Sequence, residues 1–386
     1  MVKSYELAIQ QFKQDTDYIW SISFLFADAG HLDEALVLRI QLADYFRANG
    51  DLNSLQACLG NQANILYSRG DLDGAMTLYK EQERIFRELG NKDSLQTILG
   101  NQGVILKDRG DLDGAMTLYK EAERICRELG NKDGLQVCLG NQGVILKDRG
   151  DLDGAMTLYK EAERICRELG NKDSLQGSLG NQANILYSRG DLDGATTLLK
   201  EEERICRELG NKDSLQGSLG NQGGILYSRG DLDGAMTLCK EQERICRELG
   251  NKDSLQRSLG NQANILADRG DLDDAMTLYK EGERICRELG NVNDLQISLG
   301  GQGLILNARG DLDGAMNLFK EQERICRELG NVEGLAYSLI NQALALSQKG
   351  YARESLLLAE EAYQVASNHG YAALAQQIES TLQRLR

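Results

Sequence analysis

The stretch GDLDGAMTLYKE, Gly110 to Glu121, decides the fold. The same letters begin at Gly70 and Gly150, close variants at Gly190, Gly230, Gly270 and Gly310, and a degenerate one at Gly350. The spacing is 40 residues throughout, without an insertion. Self-similarity at a fixed period of this length marks an architecture in which one small unit stacks on copies of itself.

Each unit divides into two helical segments. Leu112, Ala115, Met116, Leu118, Tyr119, Ile125, Cys126 and Leu129 recur at helical spacing and predict a helix over roughly 112–129. Asp111 and Asp113 stand at its start, where the helix dipole favours carboxylates. Glu121 with Arg124, and Arg124 with Glu128, are spaced as charge pairs on its outer face. A second helix is predicted over roughly 94–108 from Leu95, Ile98, Leu99, Ile105 and Leu106, with Asp93 or Ser94 placed to cap it. Gly110 and Gly130-Asn131 are the expected stops. Nine helix pairs are expected.

The organisation expected is a divergent cap and first helix pair over 1–50, seven near-identical repeats over 51–330, a divergent last pair over 331–370, and a capping helix over 371–386. That last helix carries Leu374, Ile378, Leu382 and Leu385, and Ser4 to Gln14 is a candidate cover for the other end. A two-helix unit cannot bury both of its broad faces alone, so stacking must supply the core.

Composition narrows the function. The net charge of -15, with both signs mixed along the chain, disfavours nucleic acid and anionic membrane surfaces as partners. There is no proline, where average usage would give about twenty. No apolar run approaches the ~18 residues of a membrane span, and the first ten residues lack a secretory pattern. Nine cysteines without a CxxC pair suit free thiols in a reducing, cytoplasmic setting.

The unit resembles the tetratricopeptide repeat (TPR), in the longer-period form of kinesin light chains and Pins-type adaptors. The resemblance is carried by Leu59, Ala63, Leu66, Gly70, Ala75 and Tyr79, and again by Leu99, Gly103, Leu106, Gly110, Ala115 and Tyr119. Gln62 and its equivalents depart from the family's usual Leu, Gln82, Glu202 and Gly282 from its usual Ala, and Gly-Asn replaces its usual Pro. The resemblance implies an all-α, right-handed α-solenoid of stacked antiparallel helix pairs, a superhelix whose first helices line a concave face that holds peptides or partner helices.

The units beginning at Gly110 and Gly150 differ at only seven positions. They are Gly134/Ser174, Val137/Gly177, Cys138/Ser178, Gly143/Ala183, Val144/Asn184, Lys147/Tyr187 and Asp148/Ser188, all on or beside the first helix. Positions 137, 144, 147 and 148 share a helical face with 140 and 141. This pattern fits changeable contacts on a fixed frame, or drift at tolerant positions after duplication. The constancy of the second helix's outer face weighs for the former.

On the same face run Asn61, Asn101, Asn141, Asn181, Asn221, Asn261 and Asn341, interrupted by Ser21 and Gly301. A side-chain amide both donates and accepts, and the resemblance implies that these Asn hold a ligand backbone; bonding to a neighbouring helix is the alternative. Tyr67, Tyr187 and Tyr227 are candidate aromatic anchors, and Lys107, Lys147 and Arg257 candidate partners for carboxylates. Gln62 and Gln102 are expected to bridge helices. Gly60, Gly100 and their equivalents imply close approach of a neighbouring helix or of a ligand.

Arg69-Gly70-Asp71 spells an integrin-binding tripeptide but falls in the tight turn, and Asp71-Leu72-Asp73-Gly74 lacks the remaining ligands of a calcium loop. No catalytic constellation stands out, and neither a metal nor another cofactor is expected. The function expected is a monomeric, non-catalytic scaffold for a protein or peptide. A self-associating, end-to-end array and the sensor arm of a larger bacterial signalling protein are the alternatives.

Overall fold

A computed structural model describes residues 16–386. Among them are nineteen α-helices and no strand. In chain order they are α1 (Thr16–Asp28), α2 (Leu32–Ala48), α3 (Leu52–Ser68), α4 (Leu72–Leu89), α5 (Lys92–Asp108), α6 (Leu112–Leu129), α7 (Lys132–Asp148), α8 (Leu152–Leu169) and α9 (Lys172–Ser188). They continue with α10 (Leu192–Leu209), α11 (Lys212–Ser228), α12 (Leu232–Leu249), α13 (Lys252–Asp268), α14 (Leu272–Leu289), α15 (Val292–Ala308), α16 (Leu312–Leu329), α17 (Val332–Gln348), α18 (Ala352–Asn368) and α19 (Ala372–Leu385). The candidate cover Ser4 to Gln14 lies outside the described residues.

Turns of three or fewer residues join these helices, so successive helices run antiparallel. Each turn is built the same way. Gly110 and Gly130 adopt left-handed backbone, φ +80° and +67°, which a Cβ would strain. The N–H of Asn131 then donates to the Cys126 carbonyl at 2.9 Å, satisfying an orphan carbonyl at the helix end. Asp111 caps α6 by accepting from the Gly114 N–H at 2.9 Å. At α5 the cap differs from expectation. It is Asn91 that accepts from the Ser94 N–H, at 3.0 Å, so the helix starts at Lys92 and both Asp93 and Ser94 lie inside its first turn. The same Gly-Asn pair that replaces the family's Pro thus stops one helix and starts the next.

The described residues form two compact units, up to Ile185 and from Leu186. In the first, Tyr79, Phe86, Leu95, Leu99, Ala122, Ile125, Leu135 and Leu139 join one core spanning successive pairs. In the second the seam repeats as Cys206, Leu215, Leu219 and Ile245, then Cys246, Leu255, Leu259 and Ile285. Each cluster takes residues from three consecutive helices, so no pair is complete without its neighbour. At the C-terminal end α19 lays Leu374, Ile378 and Leu382 into the core of α17 and α18. All nine cysteines are buried free thiols.

A polar chain runs beside this seam. Gln102 donates to Glu83 at 2.8 Å, and Glu83 accepts from Arg87 at 2.8 Å. Arg87 reaches on to Glu121 of the next pair at 2.9 Å. The set recurs as Gln142–Glu123–Arg127–Glu161 and Gln222–Glu203–Arg207–Glu241. Gln62 likewise bridges, donating to the Arg39 carbonyl at 2.9 Å. Glu121 therefore pairs with Arg87 rather than with Arg124, which pairs with Glu128. Lys92–Glu128 and Arg109–Asp73 add two more links between repeats. Each exposed pair contributes about 0.2–1 kcal/mol, and together they hold the outer residues constant for a structural reason. That constancy consequently lends no weight to a functional reading of the first helix.

Two packing details carry stability predictions. Glu202 is buried in the second unit where Ala122 and Ala162 stand in the first, and one carboxylate oxygen lacks a hydrogen-bond partner. Burial raises its pKa to about 7. Because the folded chain holds this proton more tightly than the unfolded one, stability falls as pH rises from about 4.5 to about 7, by about 3 kcal/mol at most. Glu202→Gln, which copies Gln82 and Gln242, is expected to raise the denaturation midpoint at pH 8 and to leave it unchanged at pH 4. Parallel melting curves of variant and wild type across that range test it.

The second detail concerns tyrosines. Tyr79 donates to Asn64 at 2.5 Å and Tyr279 donates to Asn264. Tyr119 and Tyr159 face Val104 and Val144 at the equivalent positions, and their buried hydroxyls have no partner. Tyr119→Phe should leave stability unchanged or raise it, whereas Tyr79→Phe should cost about 1 kcal/mol. Urea denaturation of the two variants separates them.

Candidate functional site

Within each unit, first helices touch the first helices of neighbouring pairs directly, as α5 touches α7 and α13 touches α15. Second helices of neighbouring pairs are linked instead by long side chains such as Arg87 and Glu121. First helices therefore approach one another more closely, and each presents one face to solvent.

On that face the four variable positions are accessible. Val137 is 50% exposed, Asp148 and Tyr187 are exposed, and Val144 and Lys147 are partly so. The other three differences are packing adjustments. A Cβ at Gly143 would stand 2.5 Å from the Tyr159 ring, and one at Gly134 would meet the Cys126 sulfur at 2.7 Å. Cys138 is itself buried.

The asparagines differ among themselves. Asn61 donates to the Ala57 carbonyl of its own helix at 2.9 Å, and Asn221 also has a partner within the chain. The amides of Asn101, Asn141, Asn181 and Asn261 are half-buried and make no hydrogen bond to a described residue. Their donors and acceptors are therefore not spent on the chain itself.

The expected anchors are partly occupied. The Tyr67 hydroxyl donates to Asp108 of the next repeat at 2.7 Å, and Tyr227 donates to Asp268 at 2.6 Å. Lys107 lies 3.7 Å from Asp108, and Arg257 pairs with Asp253 at 3.0 Å. Tyr187 and Lys147 have no such partner. The close approach expected at the in-helix glycines holds at Gly60, Gly220 and Gly300, where a Cβ would meet Gln82, Gln242 and Gln322 of the same pair. Gly100, Gly140 and Gly260 face open space, because Ala122, Ala162 and Gly282 replace those glutamines.

The tripeptide at Arg69 is consumed by the turn. Arg69 pairs with Asp33 at 2.8 Å, Gly70 is left-handed, and Asp71 caps α4. Among the described residues no His, Cys, Asp or Glu cluster is arranged to hold a metal, and no helix is long and apolar enough to cross a membrane.

One site was missed by the sequence reading. In the second unit a pocket of about 480 Å³ opens beside Gly301, with Tyr279, Ile297, Leu304 and Tyr337 on its walls. The signal was visible as the break in the asparagine series at Gly301, but its meaning depends on where Tyr279 packs.

Residues 49–213 match the family model of the MalT-like TPR region, and residues 256–281 match a tetratricopeptide-repeat model. No curated protein matches the sequence. Among solved structures, the chain is similar to the apo form of the quorum sensor NprR from B. thuringiensis. That likeness has 13% identity and a TM-score of 0.65 over 93% of this chain and 99% of that one. A Rap protein complexed with competence and sporulation factor gives 15% identity and a TM-score of 0.58 over 97% of this chain and 100% of that one. A signal-transduction ATPase with a tetratricopeptide-repeat sensor from Pyrococcus horikoshii gives 14% identity and a TM-score of 0.64, covering 90% of this chain but only 55% of that one. At these identities the structures share the fold alone. Family matches over 49–213 and 256–281, the 40-residue period and the stacked antiparallel helix pairs agree: this chain carries tetratricopeptide repeats.

Proposed function

We propose that the chain is a non-catalytic interaction scaffold that holds a peptide or partner helix along the exposed face of its first helices. The observation that carries this is the set of half-buried amides at Asn101, Asn141 and Asn181 in the first unit, each without a hydrogen bond to the chain. Repeated at one position per 40 residues, they offer paired donors and acceptors to an extended backbone whatever its side chains. Val137, Val144, Lys147 and Tyr187 beside them vary between copies and would read those side chains. Asn61, Tyr67 and Lys107 extend the proposed surface within the first unit, and Asn221, Asn261, Tyr227 and Arg257 form its counterpart within the second, although Tyr67 and Tyr227 are already tied to carboxylates. The Rap protein complexed with competence and sporulation factor supports a binding role for this fold.

A second role is compatible with the first. The Pyrococcus horikoshii protein carries its repeats as the sensor of a signal-transduction ATPase, and this chain spans about half of it. The binding face proposed here would serve equally as the sensing surface of a larger bacterial protein. The partner is a protein or peptide rather than nucleic acid, given the acidic charge of -15.

The test is affinity capture from the source cell's lysate by wild type and by a triple variant with Asn101, Asn141 and Asn181 changed to Ala. Because these amides bond nothing within the chain, the variant is expected to melt with wild type and yet lose captured partners by at least tenfold in mass-spectrometric intensity. An unchanged capture profile on the folded variant would falsify the proposal.

A further inference from the structure

The asparagine series breaks once within the near-identical repeats, at Gly301, and the consequence is local and specific. A Cβ at Gly301 would lie 2.3 Å from the Tyr279 ring, so Tyr279 of the preceding pair occupies the space an asparagine would need. Tyr279 is itself buried and fixed by its bond to Asn264. The pocket beside it sets three exposed apolar side chains among polar ones such as Asn331, Glu333 and Asn341. Ile297 is 50%, Leu304 51% and Tyr337 42% exposed. The residues at the position of Ile297 in the three preceding repeats are Gly177, Gly217 and Arg257, and at the position of Leu304 the preceding repeats have Asn184, Gly224 and Asn264.

One polar atom is stranded here. Gln322 lines the pocket, is 5% exposed, and donates from Nε2 to Gln296 at 3.2 Å, but its Oε1 is buried without a partner. Gln82 and Gln242 have the same orphan oxygen, yet Asn61 and Asn221 stand in their repeats where Gly301 stands in this one. A buried acceptor without a donor costs about 1–3 kcal/mol. In this repeat alone position 301 carries no side chain, and Tyr279 and Gln322 both line a pocket from which a ligand could supply that donor.

We propose that this pocket is the anchor site of the bound peptide and takes an aromatic side chain with a donor on its edge, an indole above all. This rests on reading the first-helix face as a peptide-binding surface. The ring packs against Tyr279, Ile297, Leu304 and Tyr337, and its N–H donates to Gln322 Oε1. An aliphatic side chain fills the same walls but leaves the oxygen unpaired. Rigid amphipathic aromatics seated in such pockets commonly dominate an interface.

The probe is N-acetyl-L-tryptophanamide, followed by saturation-transfer NMR on the full chain. Its comparators are N-acetyl-L-leucinamide and the 1-methylindole analogue, which lacks the donor. Wild type is expected to prefer the indole about tenfold over both. Gly301→Asn, which restores the residue of the earlier repeats and must displace the Tyr279 ring, should abolish binding in a chain that stays folded but melts at a modestly lower temperature. Gln322→Ala, which copies Ala122, should erase the preference for the indole over its methylated analogue while leaving residual binding. Leu304→Asn, matching Asn264, is a second way of closing the apolar wall and should weaken the probe at least fivefold. Binding undiminished in Gly301→Asn, or absent in wild type, overturns the anchor site. The triple asparagine variant should bind the probe like wild type, so loss of the anchor and loss of the amide series are read independently.

Discussion

A short helical hairpin with apolar residues on both broad faces cannot bury them by folding on itself, and everything else in this chain depends on that constraint. The cluster of Cys206, Leu215, Leu219 and Ile245 shows the solution: one residue from the end of a second helix, two from the next first helix, and one from the helix after it. Stability then resides in interfaces between repeats rather than within them. The period stays at 40 residues because first helices of 17 residues and second helices of 18 recur with turns of three and two residues between Leu52 and Leu329. The glycines at Gly110 and Gly130 enforce that spacing, since their left-handed backbone closes the turns at fixed length.

The polar chain from Gln102 through Glu83 and Arg87 to Glu121 is the second component of the interface. It places a glutamine where the family commonly has leucine and satisfies it with a carboxylate of the preceding repeat. Such a network contributes less per group than apolar packing, but a glutamine buried without its glutamate would be costly. This explains why the outer faces are copied so closely. It also removes an argument for function: residues engaged between repeats are held constant whether or not anything binds. What remains to support binding is narrower and more physical, namely amides on the first helices with no partner in the chain and variable neighbours that are accessible to solvent.

Departures from the repeat are where chemistry accumulates. Glu202 substitutes a carboxyl for alanine in a buried position and becomes a titrating group near neutral pH. Tyr119 and Tyr159 lose the asparagine that satisfies Tyr79 and keep an idle hydroxyl. Gly301 deletes an inner side chain, admits Tyr279 and opens a pocket. In each case a single exchange in an otherwise constant frame changes the physics of one site and leaves its neighbours alone, because contacts extend only to adjacent repeats.

The sequence by itself determined the unit, its period, the two helices and their stops, because these are local: helical spacing of Leu112, Ala115, Met116 and Tyr119, and glycines at positions requiring positive φ. It also determined that first and second helices play different parts, since all differences between two adjacent copies fall on or beside one of them. Tertiary structure decided what spacing cannot express. It selected Asn91 as the cap over Asp93 and Ser94, directed Glu121 to Arg87 instead of Arg124, and tied Tyr67 to Asp108. It also separated the glycines pressed by a glutamine from those facing open space, and turned the gap at Gly301 into a cavity. Each of those outcomes depends on a side chain about 15 to 40 residues away or on competition between two nearby groups for one partner, and neither is encoded in the periodicity of a single helix.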